Sequence, residues 1–304
     1  MLTNFSCSAP ANVMIMGEHS VVYGYPALVA ALPPRITIHW QARADREIHI
    51  HSALANFSTS LDQLTEHPKL RFVLAAVREF TPQLHQGWNL TIESEFPADW
   101  GLGSSAAVLA ATIVGLEKIT QHDLSVWQRF EIGHRCILAI QGRGSGADLA
   151  ASLTGGLVYF EPGAQRITRL EQTLDLCLIY SGYKTPTAEV LAQVAAAWQD
   201  RPQQRDALYH TMSNVTAQAY QALQNNQHND FYRAVQHYQQ LMQQLGVSDT
   251  TLDTIISRLQ QQTPAAKISG SGLGDCVLAF GHLDKLEPYA LLNTQISQRG
   301  AACD

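Results

Sequence analysis

The chain has 304 residues, 46% of them hydrophobic and 15% charged, with 20 Lys and Arg against 26 Asp and Glu for a formal charge of −6. That length predicts about two domains of roughly 100–200 residues each, and the apolar content excludes a disordered chain. The acidic balance leaves no footprint for nucleic acid, and no apolar run approaches the ~20 residues that span a bilayer.

The opening M-L-T-N-F-S-C-S lacks the basic region and the long apolar stretch of a secretory leader. Five cysteines (Cys7, Cys136, Cys177, Cys276 and Cys303) are widely spaced, odd in number and free of any C-x-x-C pair. They are expected to be free thiols of a cytoplasmic protein, with no zinc site.

Residues 6–16 read as a strand entering a Gly17-Glu18-His19 turn, and Gly24 and Pro26 punctuate the chain before a short apolar run. Residues 35–43 and 46–52 alternate apolar and polar like half-solvated strands, which puts His39, His49 and His51 on the wet side rather than in a ligand set. A helix is predicted over 68–80, opened by Pro68, with Leu70, Val73, Leu74 and Val77 on one face. The alternating W-N-L-T-I-E-S-E-F-P then feeds P-A-D-W-G-L-G-S-S-A-A-V-L-A-A-T, from Pro97 to Thr112.

In that stretch a glycine turn (Gly101, Leu102, Gly103) runs into a helix expected over 104–118. A helix start offers unpaired N–H groups and the positive end of its dipole, so the junction suits an anion. Ser104 or Ser105 can cap the helix, and a serine hydroxyl here can also reach a phosphate or a metal. The lysine of G-x-x-x-x-G-K-[ST] is missing, and the run is not G-x-G-x-x-G.

A further helix is expected over about 124–141, ended by Gly142. G-R-G-S-G-A-D-L-A-A-S-L-T-G-G then forms a second small-residue turn opening a short helix, and the strand L-V-Y-F follows. From about 166 come two strands, the loop S-G-Y-K-T-P-T and a helix. Leu208, Met212, Val215 and Ala219, then Phe231, Val235, Tyr238, Met242 and Leu245, step at helical spacing and predict a hairpin with buried seams. A helix carrying Leu252, Ile255, Ile256 and Leu259 precedes K-I-S-G-S-G-L-G-D-C-V-L-A-F, a strand, glycine turn and strand. A last helix is expected over about 283–298. The fold class is α+β in two domains, 1–165 and 166–304, with the division at the E-P-G turn.

Three small-residue loops at 9–19, 97–107 and 267–276, in this order, resemble those of the GHMP kinases. G-E-H-S-V-V-Y-G-Y-P-A, from Gly17 to Ala27, is most similar to the mevalonate kinase branch. G-L-G-S-S-A-A resembles the phosphate-binding motif, and Lys267 to Cys276 resembles the C-terminal glycine motif. The resemblance implies an N-terminal α+β domain and a ferredoxin-like C-terminal domain with ATP between them. It also implies Mg2+ as cofactor and phosphorylation of a small-molecule alcohol, most simply mevalonate.

Carried over residue by residue, the phosphates fall on Gly101, Leu102, Gly103, Ser104, Ser105 and Ala106, with Ser105 also at the metal. Asp148, in G-S-G-A-D, matches the catalytic aspartate; alone, it reads equally well as a helix cap. Glu18 and His19 match residues flanking the acceptor, Thr187 an acceptor-side threonine, and Gly270 and Ser271 lie in the glycine motif on the substrate side. A carboxylate near the acceptor hydroxyl can take its proton during phosphoryl transfer, which is otherwise mostly positioning and charge stabilisation.

Two positions depart from the pattern. Asn12 stands where a lysine is expected beside the acceptor oxygen, and Ile137 where a metal-binding glutamate is expected, with Glu131 as the nearby carboxylate. Lys184 and Arg143, in loops next to the motifs, are candidates for the missing positive charge. The shading of the second and third motifs keeps phosphomevalonate open as the acceptor. The two departures keep open a protein that binds nucleotide without turnover. The expected partners are ATP and a small-molecule substrate, neither nucleic acid nor membrane, with a homodimer possible.

Overall fold

The computed structural model describes residues 3–97 and 100–304. Ala98 and Asp99, part of the stretch leading to the phosphate loop, lie outside the described residues. The first sheet begins with β1 (Asn4–Met16), which runs antiparallel to β2 (Ala27–Ala42). The register shifts between Pro10, opposite Arg35, and Ala11, opposite Leu32, so Pro33 and Pro34 are looped out of the ladder. Proline has no N–H to donate, and two in succession make a bulge the natural solution. Asn12 follows directly, and its backbone N–H leaves the strand to donate to Leu102 O at 3.1 Å.

The sheet continues through β5 (Trp88–Ser94), β3 (Glu47–Ser52) and β4 (Asn56–Ser60). The strand pair β6 (Leu157–Glu161) and β7 (Arg166–Leu170) adds beside the first residues of β2. His39 and His51 face solvent, and His39 Nδ1 meets Ser6 Oγ at 2.8 Å, as the alternation predicts.

Helices α1 (Arg71–Phe80), α2 (Ser104–Thr120), α3 (Val126–Gln141) and α4 (Ala147–Thr154) build the layer against this sheet, α2 and α4 lying on β1 and β2. Trp40 stacks on Phe5, Trp88 meets both rings edge-on, and Gly115 in mid-α2 is bare because a Cβ would meet the Trp40 ring at 2.6 Å. α3 starts at a Ser125–Gln128 capping box and stops at left-handed Gly142.

A second sheet has the order β11-β8-β10-β9, from β8 (Asp175–Tyr180), β9 (Ala266–Ser269), β10 (Cys276–Phe280) and β11 (Leu291–Gln295). α5 (Thr187–Ala197) follows β8; the hairpin of α6 (Pro202–Gln224) and α7 (His228–Leu245), then α8 (Thr250–Leu259), complete this part. The predicted hairpin seam is buried, with Met212, Phe231, Val235, Tyr238 and Met242 at 0% exposure. One apolar cluster joins Val13 and Ile15 of β1 to that hairpin and to the second sheet, so β1 is covered on both faces.

Two expectations are corrected. The helix expected over 283–298 is absent: Pro288 interrupts the pattern and residues 291–295 form edge strand β11 beside β8. The cysteines are not all free. Cys7 and Cys303 form a disulfide between β1 and the two-residue strand β12 (Ala302–Cys303), while Cys136, Cys177 and Cys276 are not disulfide-bonded. A spacing of 296 residues hid that pair, because only sheet pairing brings it together. Strand β4, N-F-S-T-S, is too polar for its alternation to show in the sequence. Both β7 and β12, from beyond residue 165, hydrogen-bond within the first sheet. Among the described residues no helix is long and apolar enough to cross a membrane.

Candidate active site

The N-cap of α2 is Gly103, left-handed at φ 67°, and neither Ser104 nor Ser105 caps the helix. The expected serine cap is thus corrected: a left-handed cap position favours glycine, and the serines are already helical. The first intrahelical bond runs from Ala107 N–H to Gly103 O at 2.9 Å. The N–H groups of Ser104, Ser105 and Ala106 therefore have no helical acceptor and are available to an anion. Ser105 is exposed at this mouth, while Leu102 is buried beneath it. A Cβ at 103 would collide with the Asn12 carboxamide, so the loop and β1 touch backbone to side chain.

Asn12 is 1% exposed, and its Nδ2 donates to Ser152 Oγ at 2.9 Å; Ser152 in turn donates to Pro10 O at 2.9 Å. The structure thus places Asn12 as a strut between β1, the phosphate loop and α4. One turn before Ser152 on α4 lies Asp148. The cap there is left-handed Gly146, without a side-chain cap bond, so Asp148 is free of the capping role that competed for it. Asp148 keeps partial exposure, yet burial of its carboxyl raises the pKa to about 6. Such a group is ionised at neutral pH and still basic enough to accept a proton.

The Gly17-Glu18-His19 turn is fixed from the second half of the chain. Tyr238 Oη accepts from Gly17 N–H at 3.0 Å and donates to Glu18 O at 3.1 Å. Glu18 Oε1 pairs with Lys267 Nζ at 2.5 Å, both side chains nearly inaccessible at 2% and 0%, and Lys267 also bonds Ile268 O. Burial raises the Glu18 pKa and lowers that of Lys267, and their mutual attraction opposes both shifts. His19 has a left-handed backbone (φ 61°) and meets Ser271 O at 2.8 Å through Nε2. A carbonyl only accepts, so the proton is assigned to Nε2. Burial lowers the His19 pKa, leaving a neutral ring with Nδ1 as an acceptor. Glu18 Oε2, His19 Nδ1 and Ser271 Oγ are buried polar atoms without a protein partner among the described residues.

The third loop closes on the other two. Ser269 Oγ donates to Met14 O at 2.9 Å, Cys276 Sγ lies 3.2 Å from Trp100 O, and the Asp275 carboxyl packs against Gly101. Gly270 and Ser271 sit at this junction, Gly270 with φ 87°. Thr187 opens α5 and is exposed; its neighbour Ala188 accepts from Arg143 at 3.2 Å. Lys184 Nζ pairs with Asp275 at 3.2 Å. Ile137 is buried in the core and Glu131 is exposed on α3, and the described residues contain no cluster of three or more His, Cys, Asp or Glu able to hold a metal. Sequence reasoning missed Lys267, Tyr238 and Asp275. Tyr238 looked like hairpin core, and the other two stand inside a motif read for its glycines.

An anion site at a helix start, a carboxylate on the neighbouring helix and unsatisfied buried polar atoms fit a small-molecule kinase. The family models for the GHMP kinases N terminal domain and the GHMP kinases C terminal match residues 71–156 and 219–288. The chain is 30% identical to the mevalonate kinase of Pyrococcus furiosus over 297 residues, covering 90% of this chain and 88% of the relative. It is 31% identical to that of Archaeoglobus fulgidus over 274 residues, covering 90% and 91%. The crystal structure of the Methanococcus jannaschii mevalonate kinase superposes with a TM-score of 0.80 at 21% identity, covering 96% of this chain and 98% of the other. The chain belongs to the GHMP kinases, and it is an ATP-dependent small-molecule kinase of the mevalonate kinase type.

Proposed function

We propose that the chain transfers the γ-phosphoryl group of ATP to the primary alcohol of mevalonate. The observation that carries this reading is the free start of α2 together with the unsatisfied buried atoms Glu18 Oε2, His19 Nδ1 and Ser271 Oγ, in the turn and glycine loop that His19 Nε2 and Ser271 O join. Two of these atoms accept and one can do either, which suits an acceptor molecule bearing hydroxyl donors. The names of the relatives supply the substrate that fits.

The phosphates lie on the N–H groups of residues 103–106, where Gly101 and Gly103 leave room for close approach. Asp148 accepts the proton of the attacking hydroxyl as the new O–P bond forms and the bond to ADP breaks. Asn12 holds α4 to the phosphate loop and so fixes Asp148 relative to the phosphates. Glu18, His19, Gly270 and Ser271 bind the acceptor, and Thr187 closes the same side. The exposed Ser105 hydroxyl would be the protein's donor to Mg2+ at the phosphates. Magnesium retains several waters and needs few carboxylates, so a buried Ile137 is compatible with it. When bound, the ion neutralises phosphate charge. The division at 165 separates the loop-and-base half from the half that carries Lys267 and the glycine loop.

The test is ADP release measured with mevalonate, phosphomevalonate, homoserine and galactose. Mevalonate is expected to give the highest kcat/KM by at least about 10-fold, a difference of about 1.4 kcal/mol in transition-state binding. A preference for phosphomevalonate would overturn the acceptor assignment. Thermal stabilisation by ATP and mevalonate without ADP release would instead leave a binding protein.

A further inference from the structure

Asp275 ends the glycine loop in a left-handed conformation (φ 60°), which an aspartate adopts only at some cost. Its carboxyl is turned against the phosphate loop: a Cβ on Gly101 would lie 3.1 Å from Asp275 Cγ and 3.2 Å from Oδ1. A carboxylate in that position repels a polyphosphate unless something neutralises it. Lys184 Nζ, 3.2 Å from Oδ1, does so.

The backbone holds Lys184 in place. Asp275 N–H donates to Tyr183 O at 2.9 Å, Ser181 N–H to Asp275 O at 3.0 Å, and Thr185 Oγ1 to Leu273 O at 2.6 Å. Gly274, at φ 134°, approaches so closely that a Cβ there would sit 2.9 Å from Tyr183 O and 3.0 Å from Lys184 Cα. On the far side Tyr183 Oη donates to Asp249 Oδ2 at 2.6 Å. The loop is thus laced to the glycine motif, while the Lys184 side chain remains 38% exposed. Asp275 is only 8% exposed, so the pair is partly buried, but its ammonium end reaches solvent and has N–H donors left to offer a bound anion. Arg143, the other cation considered for the missing charge, is instead tied to Ala188 O.

We propose that Lys184 is a nucleotide-binding residue: it neutralises Asp275 and, while still paired with it, offers its remaining N–H donors to phosphate oxygens when ATP occupies the 101–106 loop. This rests on the reading of that loop as the ATP phosphate site, but not on the identity of the acceptor. Lys184 then brings to the phosphates the positive charge that Asn12 does not.

Direct titration with ATP and with adenosine, without acceptor, tests the proposal on the wild-type, Lys184→Ala, Lys184→Arg, Asp275→Asn and doubly substituted proteins. Lys184→Ala is expected to weaken ATP binding about 10-fold or more, the scale of a lost charged hydrogen bond, and Lys184→Arg far less. Adenosine binding is expected to be unchanged. Asp275→Asn on the Lys184→Ala background is expected to recover part of the loss, since the repelling charge is gone. Wild-type affinity for ATP in Lys184→Ala, equal losses for ATP and adenosine, or no recovery in the double variant would each overturn the proposal. Failure of the folded wild-type protein to bind ATP at all would overturn the phosphate-loop reading with it.

Discussion

Asp148 has its pKa raised to about 6 by burial, against the ordinary aspartate value of 3.8. As a proton acceptor it must be ionised, so kcat/KM is expected to fall as the pH drops through about 6; a rate unaffected between pH 7 and 5 would remove it from the chemistry. Asp148→Asn is expected to lower kcat by about 10²–10⁴-fold with ATP binding intact. The same shift has a consequence for stability. Between the unfolded and folded pKa the native state binds the extra proton, so this group's contribution falls as pH rises from about 4 to 6. Asp148→Asn is therefore expected to melt higher than wild type at pH 7, with the gain shrinking toward pH 4. Lys267 gives the opposite kind of result. Removing one partner of a buried pair strands the other charge, and Lys267→Met is expected to cost about 3–5 kcal/mol in denaturant unfolding. Adding Glu18→Gln is expected to cost less than the sum of the single changes, because no stranded charge is left.

At the scale of elements, the phosphate loop depends on a strand bulge as much as on its own glycines. Pro33 and Pro34 break the β1–β2 register next to Asn12, and Asn12 then bonds Leu102 through its backbone and crowds Gly103 through its side chain. Gly103→Ala meets both a left-handed φ of 67° and that carboxamide. It is expected to cost more than about 1 kcal/mol of stability and to weaken ATP binding, measured by melting and by titration. Gly115→Ala, far from the site, meets only the Trp40 ring and is expected to lower the melting point with ATP affinity unchanged. The contrast separates a glycine kept for the loop from one kept for the core.

At the scale of the whole molecule, the Cys7–Cys303 bond ties the first strand to the last residues across a separation of 296. Lys118 on α2 bonds the Asp304 carbonyl, and Arg35 donates to Arg299 O and Gly300 O at 3.1 and 2.8 Å, so the clasp also has non-covalent parts. Reduction, or Cys303→Ser, is expected to lower stability by about 2–5 kcal/mol, with equal unfolding curves in the presence and absence of reductant counting against the clasp.

Residue order alone carries most elements and the motif loops, because helix and strand periodicities and glycine turns are local properties of neighbouring residues. Ser104, Ser105 and Asp148 could be pointed to because each stands next to a small-residue turn that opens a helix. It failed where the deciding partner is distant. Edge strand β11 exists because β8 offers it an open ladder, and Cys7 meets Cys303 only through sheet pairing. Lys267 looked like one more residue of a glycine motif until the fold buried it against Glu18. Lys184 was one of two loop cations until Asp275 held it beside Gly101. Charge compensation and burial are set by what packs together from distant parts of the chain, and no spacing along the chain encodes that.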